Sequence, residues 1–210
     1  MNEMSNPGET RTIDVSLASN SYRVYLGSGL LSDSSLWNRH LGAGKTLIVS
    51  NDVVAPLYLE QLRSALAGRA VEYHVIPDGE PEKTIDTWFG ILDRLVDMQA
   101  RRDASLIALG GGVVGDITGF AAACYMRGIR FLQAPTTLLA QVDASVGGKT
   151  AINHVKGKNL IGAFHQPSAV VIDSDTLASL PEREFNAGLA EVVKYGAITD
   201  IGFFEWLENN

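Results

Sequence analysis

The sequence predicts an α/β fold, a mainly parallel sheet with flanking helices, followed by the beginning of an all-α domain. Short apolar runs alternate with helical patterns through most of the 210 residues, and this order is typical of βαβ units. After Leu180-Pro181 the pattern is helical throughout. The expected organisation is a disordered N-terminus at 1–10, an α/β domain at 11–180 and the start of a helical domain at 181–210.

Each predicted strand is a short apolar run that is followed by a turn or by a helical pattern. Turn residues at 19–21 join the first two runs. In chain order, the predicted strands are TIDVSLA, YRVYLG, TLIVS, EYHVIP, SLIALG, RFLQAPT and AVVIDSD.

The helices are predicted from apolar residues at helical spacing. APLYLEQLRSALAG is closed by Gly68, TIDTWFGILDRLVDMQ follows the fourth strand, and a third helix begins within LGGGVVGDITG. EREFNAGLAEVVKYGAI and FFEWLENN follow Pro181, and the last pattern stops without a cap or a closing glycine. We therefore expect the helical domain to be incomplete in this chain.

Composition excludes several classes of protein. The chain has 46% apolar and 20% charged residues, as an ordinary globular protein does. No stretch approaches the roughly 20 apolar residues of a membrane helix. The net charge of −7 opposes general nucleic-acid binding, because nothing would balance phosphate repulsion.

The first ten residues of the sequence and its cysteine content indicate the cellular compartment. MNEMSNPGET lacks the basic and apolar regions of a signal peptide. The only cysteine, Cys124, lies in an apolar run and is interpreted as a small core residue, which fits a reducing compartment. We expect a cytoplasmic protein with no nucleic-acid or membrane partner.

The charge is unevenly distributed along the chain. Between residues 121 and 165 the only acidic residue is Asp143. The basic residues of that segment are Arg127, Arg130, Lys149, Lys156 and Lys158. This excess favours a small anionic ligand, and a solvated basic face is the alternative.

A glycine turn follows the fifth predicted strand, at Gly110, Gly111, Gly112 and Gly115. At the carboxyl end of a parallel strand, such a turn lets backbone N–H groups and a helix N-terminus approach a pyrophosphate. The spacing G-G-G-x-x-G does not match the ordinary dinucleotide fingerprint. Asp116 either caps the helix or binds a ligand, and the turn as a whole indicates a nucleotide.

Polar residues also follow three other predicted strands. Asn51 follows the third strand, and PDGEPEK follows the fourth; there Glu80 suits ribose hydroxyls, with Lys83 nearby. Thr136 and Thr137 offer hydroxyls after the sixth strand, or a helix cap. A polar turn could explain each one alone. Because the ends of parallel strands meet at one edge, together they favour a ligand site.

The segment DASVGGKT resembles the end of a P-loop, but Asp143 stands where that motif requires glycine. Asp143 lies within an apolar pattern, an expensive place for an unpartnered carboxylate. Lys149 is a point charge suited to phosphate, and KGKN adds Lys158 and Asn159 in a second polar loop. We interpret these residues as an anion pocket rather than a triphosphate cradle.

Glu191 and Lys194 are three residues apart in a helical pattern and therefore share a face. They form either a surface ion pair or a metal-binding carboxylate beside an acid–base lysine. The four histidines have no metal-ligand spacing, so the other ligands of such a metal would lie outside this chain.

At this point the motifs coincide with a known family. LGGGVVGDITGFAAACYMRGIRFLQAPTTLLAQVDASVGGKTAIN, GKNLIGAFHQP and LAEVVKYG closely resemble 3-dehydroquinate synthase, with a likeness from about 78 to 197. The resemblance implies a Rossmann-like NAD-binding domain, a mostly helical second domain and one active site between them. It also implies that the chain lacks most of the second domain.

The resemblance carries residue roles by position. Asp143 and Lys194 would contact substrate hydroxyls, Lys149 and Asn159 its phosphate, and Arg127 the phosphate in the partner subunit of a homodimer. Glu191 would bind Zn²⁺ or Co²⁺ with ligands outside this chain. NAD would be bound by Asn51, Asp78, Gly79, Glu80, Lys83, Gly112, Val113, Val114, Gly115, Asp116, Thr136, Thr137, Lys149, Lys158, Thr176, Leu177, Ala178 and Ser179.

The implied reaction converts 3-deoxy-D-arabino-heptulosonate 7-phosphate to 3-dehydroquinate and phosphate, in the shikimate pathway to chorismate and the aromatic amino acids. It proceeds by NAD-dependent oxidation, phosphate elimination, re-reduction and aldol closure. The alternatives are another sugar-phosphate cyclase, a metal-dependent polyol dehydrogenase of related fold, or a non-catalytic nucleotide-binding module. We expect the isolated chain to bind NAD weakly at best and to lack cyclase activity.

Overall fold

The computed structural model describes residues 10–18 and 20–209. The predicted disorder at 1–10 lies outside the described residues, apart from Thr10, and the predicted turn at 19–21 lies partly outside them.

The main sheet is seven-stranded, in the order β1-β2-β9-β6-β5-β3-β4. All neighbouring strands are parallel except β1 and β2, which are antiparallel. Its strands are β1 (Arg11–Val15), β2 (Tyr22–Gly27), β3 (Thr46–Asn51), β4 (Val71–Ile76), β5 (Ser105–Gly110), β6 (Arg130–Pro135) and β9 (Ala169–Asp173). The predicted α/β fold with a mainly parallel sheet is confirmed.

The faces of this sheet are covered by α1 (Ser34–His40), α2 (Ala55–Ala65), α3 (Ile85–Asp97) and α4 (Gly112–Cys124). Two later helices, α5 (Glu182–Thr199) and α6 (Ile201–Glu208), pack against each other, and α5 also contacts the segment after β6. Alternate residues of β5 divide between two cores: Leu106 packs with α3 and α4, and Ile107 packs with α1 and α2. Strands buried on both faces are continuously apolar, which is why the sequence identifies them so clearly.

A second, two-stranded sheet pairs β7 (Lys149–His154) with β8 (Gly157–Phe164). The sequence analysis assigned KGKN, residues 156–159, to a polar loop; only Lys156 lies in the turn, and the rest of KGKN begins β8, so that prediction is wrong for 157–159. The centre of β7 is buried beside α4, whereas β8 is largely exposed. β8 begins with Gly, Lys and Asn and is exposed over most of its length, so it lacks the alternation of apolar and polar residues by which a strand is recognised.

The C-terminal helices begin at α5, as predicted. Gly188 allows α5 to approach the segment after β6, since an added Cβ would lie 2.6 Å from the Leu139 nitrogen. Cys124 is exposed at the end of α4, so its assignment to the core is wrong. No helix of the described residues is long and apolar enough to cross a membrane.

Candidate functional site

A cleft of about 830 Å³ runs along the carboxyl ends of β3, β4, β5 and β6. These strands are neighbours in the parallel sheet, so the residues that follow them converge at one edge. The sequence predicted this convergence. The predicted residues that line the cleft are Asn51, Asp78, Gly79, Glu80, Lys83, Gly112, Val113, Val114, Asp116, Thr136, Thr137 and Ser179.

The N-terminus of α4 forms the centre of the cleft. Gly111 is its N-cap, and no side chain of the described residues caps it, so the first amide groups remain available to an anion. The glycines permit tight packing: a Cβ on Gly110 would lie 2.8 Å from Val114 Cγ2, and one on Gly112 3.3 Å from Ala144 Cβ. The backbone can therefore approach a ligand closely.

Thr136 provides a second indication of a ligand. Its side chain is 4% exposed, and its Oγ1 has no hydrogen-bond partner in the described part of the chain. A buried hydroxyl without a partner is costly, and this one lines the cleft. Neighbouring Thr137 instead accepts a hydrogen bond from the Ala140 amide at 3.2 Å, as a cap does.

The ends of β3 and β4 are joined by polar contacts. Asn51 Nδ2 donates to Asp78 Oδ1, while Asn51 Oδ1 accepts from the Val54 amide at 2.8 Å. The Asp78 amide donates to Asp52 Oδ1 at 3.1 Å. These contacts fix both strand ends at the edge of the cleft.

A second cavity, of about 510 Å³, lies beside the cleft. Its lining includes Asp143, Lys149 and Asn159, the residues predicted to form the anion pocket. Asp116 lines both cavities. The predicted nucleotide and anion sites are therefore adjacent.

Lys83 connects the two cavities. Its side chain is 4% exposed, and its Nζ donates to the Asp116 carboxylate and to Asn159 Oδ1. Burial raises the pKa of the Asp116 carboxyl, and the hydrogen bond and charge of Lys83 offset part of that increase. Lys83 was predicted as an NAD-binding residue, and the structure adds its contact with Asn159 of the second cavity.

The β7–β8 hairpin also contacts the cleft. Asn153 Nδ2 donates to Glu80 Oε1 at 2.9 Å, and Lys158 Nζ lies 3.5 Å from the same oxygen. Partial burial opposes ionisation, but the Asn153 hydrogen bond and the charges of Lys83 and Lys158 lower the pKa of Glu80 below its ordinary value. Glu80 is thus an anionic acceptor at the cleft.

Asp143 is exposed, so its predicted burial is wrong. The Tyr195 hydroxyl donates to its Oδ1 at 3.1 Å, which brings α5 to the second cavity. Partial burial and the hydrogen bond to Asp143 raise the pKa of Tyr195. The sequence analysis missed Tyr195 and Asn153; the spacing of Tyr195 four residues after Glu191 is the one signal that could have indicated it.

Glu191 and Lys194 form an ion pair on α5. The hydrogen bond to Glu191 raises the pKa of the Lys194 ammonium. The described residues contain no group of three or more metal-ligating side chains. Glu191 could therefore supply one metal ligand but not a complete site.

The other residues predicted to bind NAD or substrate are not part of the cleft lining. Thr176 is buried, donates to the Asp173 carbonyl at 2.7 Å and accepts from Gln141 at 3.0 Å. Leu177 and Ala178 follow it in a short helix, and Gly115 packs against Gln133. Exposed Arg127 has a positive φ of 67° on the loop after α4.

Curated relatives match this chain in sequence over almost its whole length. The 3-dehydroquinate synthase of Methylococcus capsulatus is 54% identical over 200 residues, which are 95% of this chain and 56% of that protein. The chain thus spans about half the length of that relative.

Two solved structures share the fold. One is the 2-epi-5-epi-valiolone synthase ValA from Streptomyces hygroscopicus, with NAD⁺ and Zn²⁺ bound, which has a TM-score of 0.82 and is 37% identical in sequence. The match covers 93% of this chain and 54% of the ValA chain. The other is a 2-deoxy-scyllo-inosose synthase complexed with carbaglucose-6-phosphate, NAD⁺ and Co²⁺, which has a TM-score of 0.81 and is 28% identical in sequence. The match covers 88% of this chain and 50% of the synthase chain.

The family model described as the N-terminal part of 3-dehydroquinate synthase matches residues 73–187, more than half of the chain. This range contains the glycine turn, both threonines, the anion pocket and the hairpin. The chain therefore belongs to the 3-dehydroquinate synthase family.

Proposed function

We propose that this chain is the NAD-binding part of a 3-dehydroquinate synthase. Together with a helical domain, it would convert 3-deoxy-D-arabino-heptulosonate 7-phosphate to 3-dehydroquinate and phosphate. The observation that carries the proposal is the pair of adjacent cavities that share Asp116. One has the features of a dinucleotide site and the other those of a phosphate site, as this reaction requires.

The cleft fits NAD in three respects. The uncapped start of α4 suits the pyrophosphate, and the Asn51 and Asp78 side chains suit ribose hydroxyls. The unpartnered hydroxyl of Thr136 would gain a hydrogen bond from the ligand. Bound NAD would accept a hydride from the substrate and return it, and the chain's own residues would orient the two molecules.

The second cavity would bind the substrate. Lys149 supplies a positive charge for its phosphate, and Asn159, oriented by Lys83, supplies an amide. Asp143, oriented by Tyr195, would accept a hydrogen bond from a substrate hydroxyl. This arrangement explains why an acidic protein keeps a locally basic segment.

The metal site would be completed outside this chain. Glu191 lies on the same helix as Tyr195, which contacts the second cavity. A carboxylate suits the Zn²⁺ and Co²⁺ bound by the two solved relatives, and the metal would polarise a substrate oxygen. Lys194 would then leave its ion pair with Glu191 and contact a substrate hydroxyl.

Several wider features belong to the same proposal. The NAD-binding domain would comprise 11–180, and 181–210 would begin the helical domain, because α5 and α6 follow Pro181 and α5 packs chiefly against α6. Arg127 would reach the partner's phosphate in a homodimer, since it lies exposed on a projecting loop. We also propose a cytoplasmic enzyme of aromatic amino-acid biosynthesis.

NAD binding tests the proposal directly. Ligand-observed NMR titration detects the weak affinity that we expect of the isolated chain. Thr136→Val keeps the side-chain shape and removes the hydroxyl, so we expect NAD affinity to fall about three- to tenfold. Thr118→Val is the matched control, because Thr118 Oγ1 is also buried and unpartnered but lies outside the cleft. Equal NAD affinity in both variants would contradict the assignment of the cleft.

Activity distinguishes the alternatives. The chain would be assayed alone and with a C-terminal fragment of the Methylococcus capsulatus relative, with the heptulosonate phosphate as substrate. We expect dehydroquinate only from the mixture and no net NADH. A polyol dehydrogenase would accumulate NADH, another cyclase would prefer a different sugar phosphate, and a non-catalytic module would remain inactive with every fragment.

A further inference from the structure

A third cavity, of about 860 Å³, lies at the amino end of β6, the edge of the sheet opposite the NAD cleft. Five basic side chains line it: Arg39 and His40 from α1, Arg102 from the loop before β5, Arg130 from β6, and His165 after β8. These residues are far apart in the chain, and the fold brings them together.

Within residues 10–18 and 20–209, nothing neutralises the positive charge of this basic cavity. No carboxylate of those residues lines it, and none of their ion pairs involves Arg39, Arg102 or Arg130. The charge of Arg39 also acts on Asp33, but that carboxylate caps α1 through two backbone amides. In a chain of net charge −7, three unpaired arginines around one cavity are a site for an anion.

The basic groups are held in place. Arg130 Nη1 donates to the His40 carbonyl at 3.2 Å, and His40 Nε2 lies 2.9 Å from the Tyr25 hydroxyl. Burial and the nearby charges of Arg39, Arg23 and Arg130 lower the pKa of His40. The lowered pKa favours the neutral His40 imidazole, and the arginines supply the charge.

The walls of the basic cavity are partly apolar. Phe131 is buried and stacks on His165 with ring centroids 6.4 Å apart, which holds that imidazole at the wall. Phe164 beside them is 82% exposed. A ligand with a carbon body would cover the Phe164 ring, whereas a bare inorganic ion would not. We propose that this cavity binds a small organic anion that carries two or more phosphate or carboxylate groups.

The site would be distinct from the substrate pocket but coupled to it. β6 has six residues, so roughly 16 Å of strand separates the two edges of the sheet. Phe164 lines both the basic cavity and the pocket that contains Lys149. The His165 amide donates to the Gly148 carbonyl at 2.8 Å, and Gln166 Nε2 to the Gly147 carbonyl at 3.1 Å. An anion against His165 and Gln166 would shift the turn that positions Lys149.

Isothermal titration of the 210-residue chain with pyrophosphate and with citrate tests the proposal and separates phosphate from carboxylate chemistry. Each titration is repeated on Arg39→Ala, Arg102→Ala, Arg101→Ala and Lys149→Ala. Arg101 adjoins Arg102 and is exposed but does not line the basic cavity, so it controls for net charge. Lys149→Ala removes the basic side chain of the proposed substrate pocket.

We expect one-to-one binding of at least one probe. Arg39→Ala and Arg102→Ala should each weaken it about tenfold, which is the effect of one charged hydrogen bond, and the two control variants should bind as the unaltered chain does. Amide NMR signals of Gly147 and Gly148 should shift on binding. The proposal would be overturned if neither probe bound, or if Arg39→Ala and Arg102→Ala left the affinity unchanged. It would also be overturned if Arg101→Ala weakened binding of the probe equally, or if Lys149→Ala abolished it.

Discussion

Replacement of Lys83 by methionine tests the central contact of the candidate site. The Lys83 side chain is 4% exposed and that of Asp116 is 23% exposed. Methionine fills similar space but leaves the Asp116 carboxylate without its cation and Asn159 Oδ1 without its donor. Removal of one partner from a fully buried ion pair costs about 3–5 kcal/mol. Because water reaches Asp116, we expect Lys83→Met to lower the free energy of unfolding by about 2 kcal/mol.

The pH dependence of this loss follows from the raised pKa of Asp116. Burial favours the protonated carboxyl in the folded state, so ionised Asp116 costs stability, and this cost appears as the pH rises through its folded pKa. Without Lys83 that pKa rises further. The difference between variant and unaltered chain should therefore be largest at neutral pH and should shrink as the pH falls through the pKa of Asp116.

Urea unfolding at several pH values measures this difference. The double variant Lys83→Met/Asp116→Asn completes a thermodynamic cycle. It should be more stable than Lys83→Met alone, because the unpaired charge is gone. A loss below about 0.5 kcal/mol in Lys83→Met, or a loss independent of pH, would refute the assignment of Lys83 as the partner that neutralises Asp116.

Three further predictions concern the scaffold. Asp33→Ala removes the cap of α1 and should lower the free energy of unfolding in urea by about 1 kcal/mol. The hydrogen bond from the Leu36 amide lowers the pKa of Asp33. The stability difference should therefore disappear as the pH falls through that pKa. Gly119→Ala should lower the free energy of thermal unfolding by about 1–3 kcal/mol, since its Cβ would lie 2.4 Å from Thr150 Cγ2. In contrast, Gly90→Ala should stabilise α3 slightly, because its Cβ would have no neighbouring atom nearer than 3.6 Å. In Gly188→Ala, whose Cβ would contact Leu138 and Leu139, hydrogen exchange should accelerate in α5 and remain unchanged in β5; unaltered α5 protection would contradict the described packing of that helix.

The sequence predicted those parts of the fold that burial determines. β3 and β5 are buried along their whole length and have apolar centres, because helices cover both faces of the sheet. Once the strands are known to be parallel, the convergence of Asn51 and Thr136 at one edge follows from topology. β8 was missed because most of its residues face solvent, and Cys124 was misplaced because an apolar run does not reveal which residue ends a helix.

Contacts between distant segments could not be predicted in this way. Lys83 is 33 residues from Asp116 and 76 residues from Asn159 in the chain. No local pattern specifies their approach, which depends on the hairpin folding back across the end of α4. Asn159 has a positive φ of 57°, and its amide donates to Asn153 Oδ1 at 2.8 Å. A single sequence marks Asn159 as polar but does not indicate its conformation.

The position of Asp116 explains why the site requires a buried lysine. A carboxylate that lines both the cofactor cleft and the anion pocket would repel the phosphates of either ligand. Lys83 neutralises that charge from the protein side, so the carboxylate can accept hydrogen bonds from ligand hydroxyls at a reduced electrostatic cost. Since the same ammonium also donates to Asn159, Lys83 links the proposed anion pocket to the Asp116 carboxylate in the proposed cofactor cleft. In the proposed reaction, in which one substrate must meet both NAD and a phosphate-binding group, this shared lysine would set the relative position of the two sites.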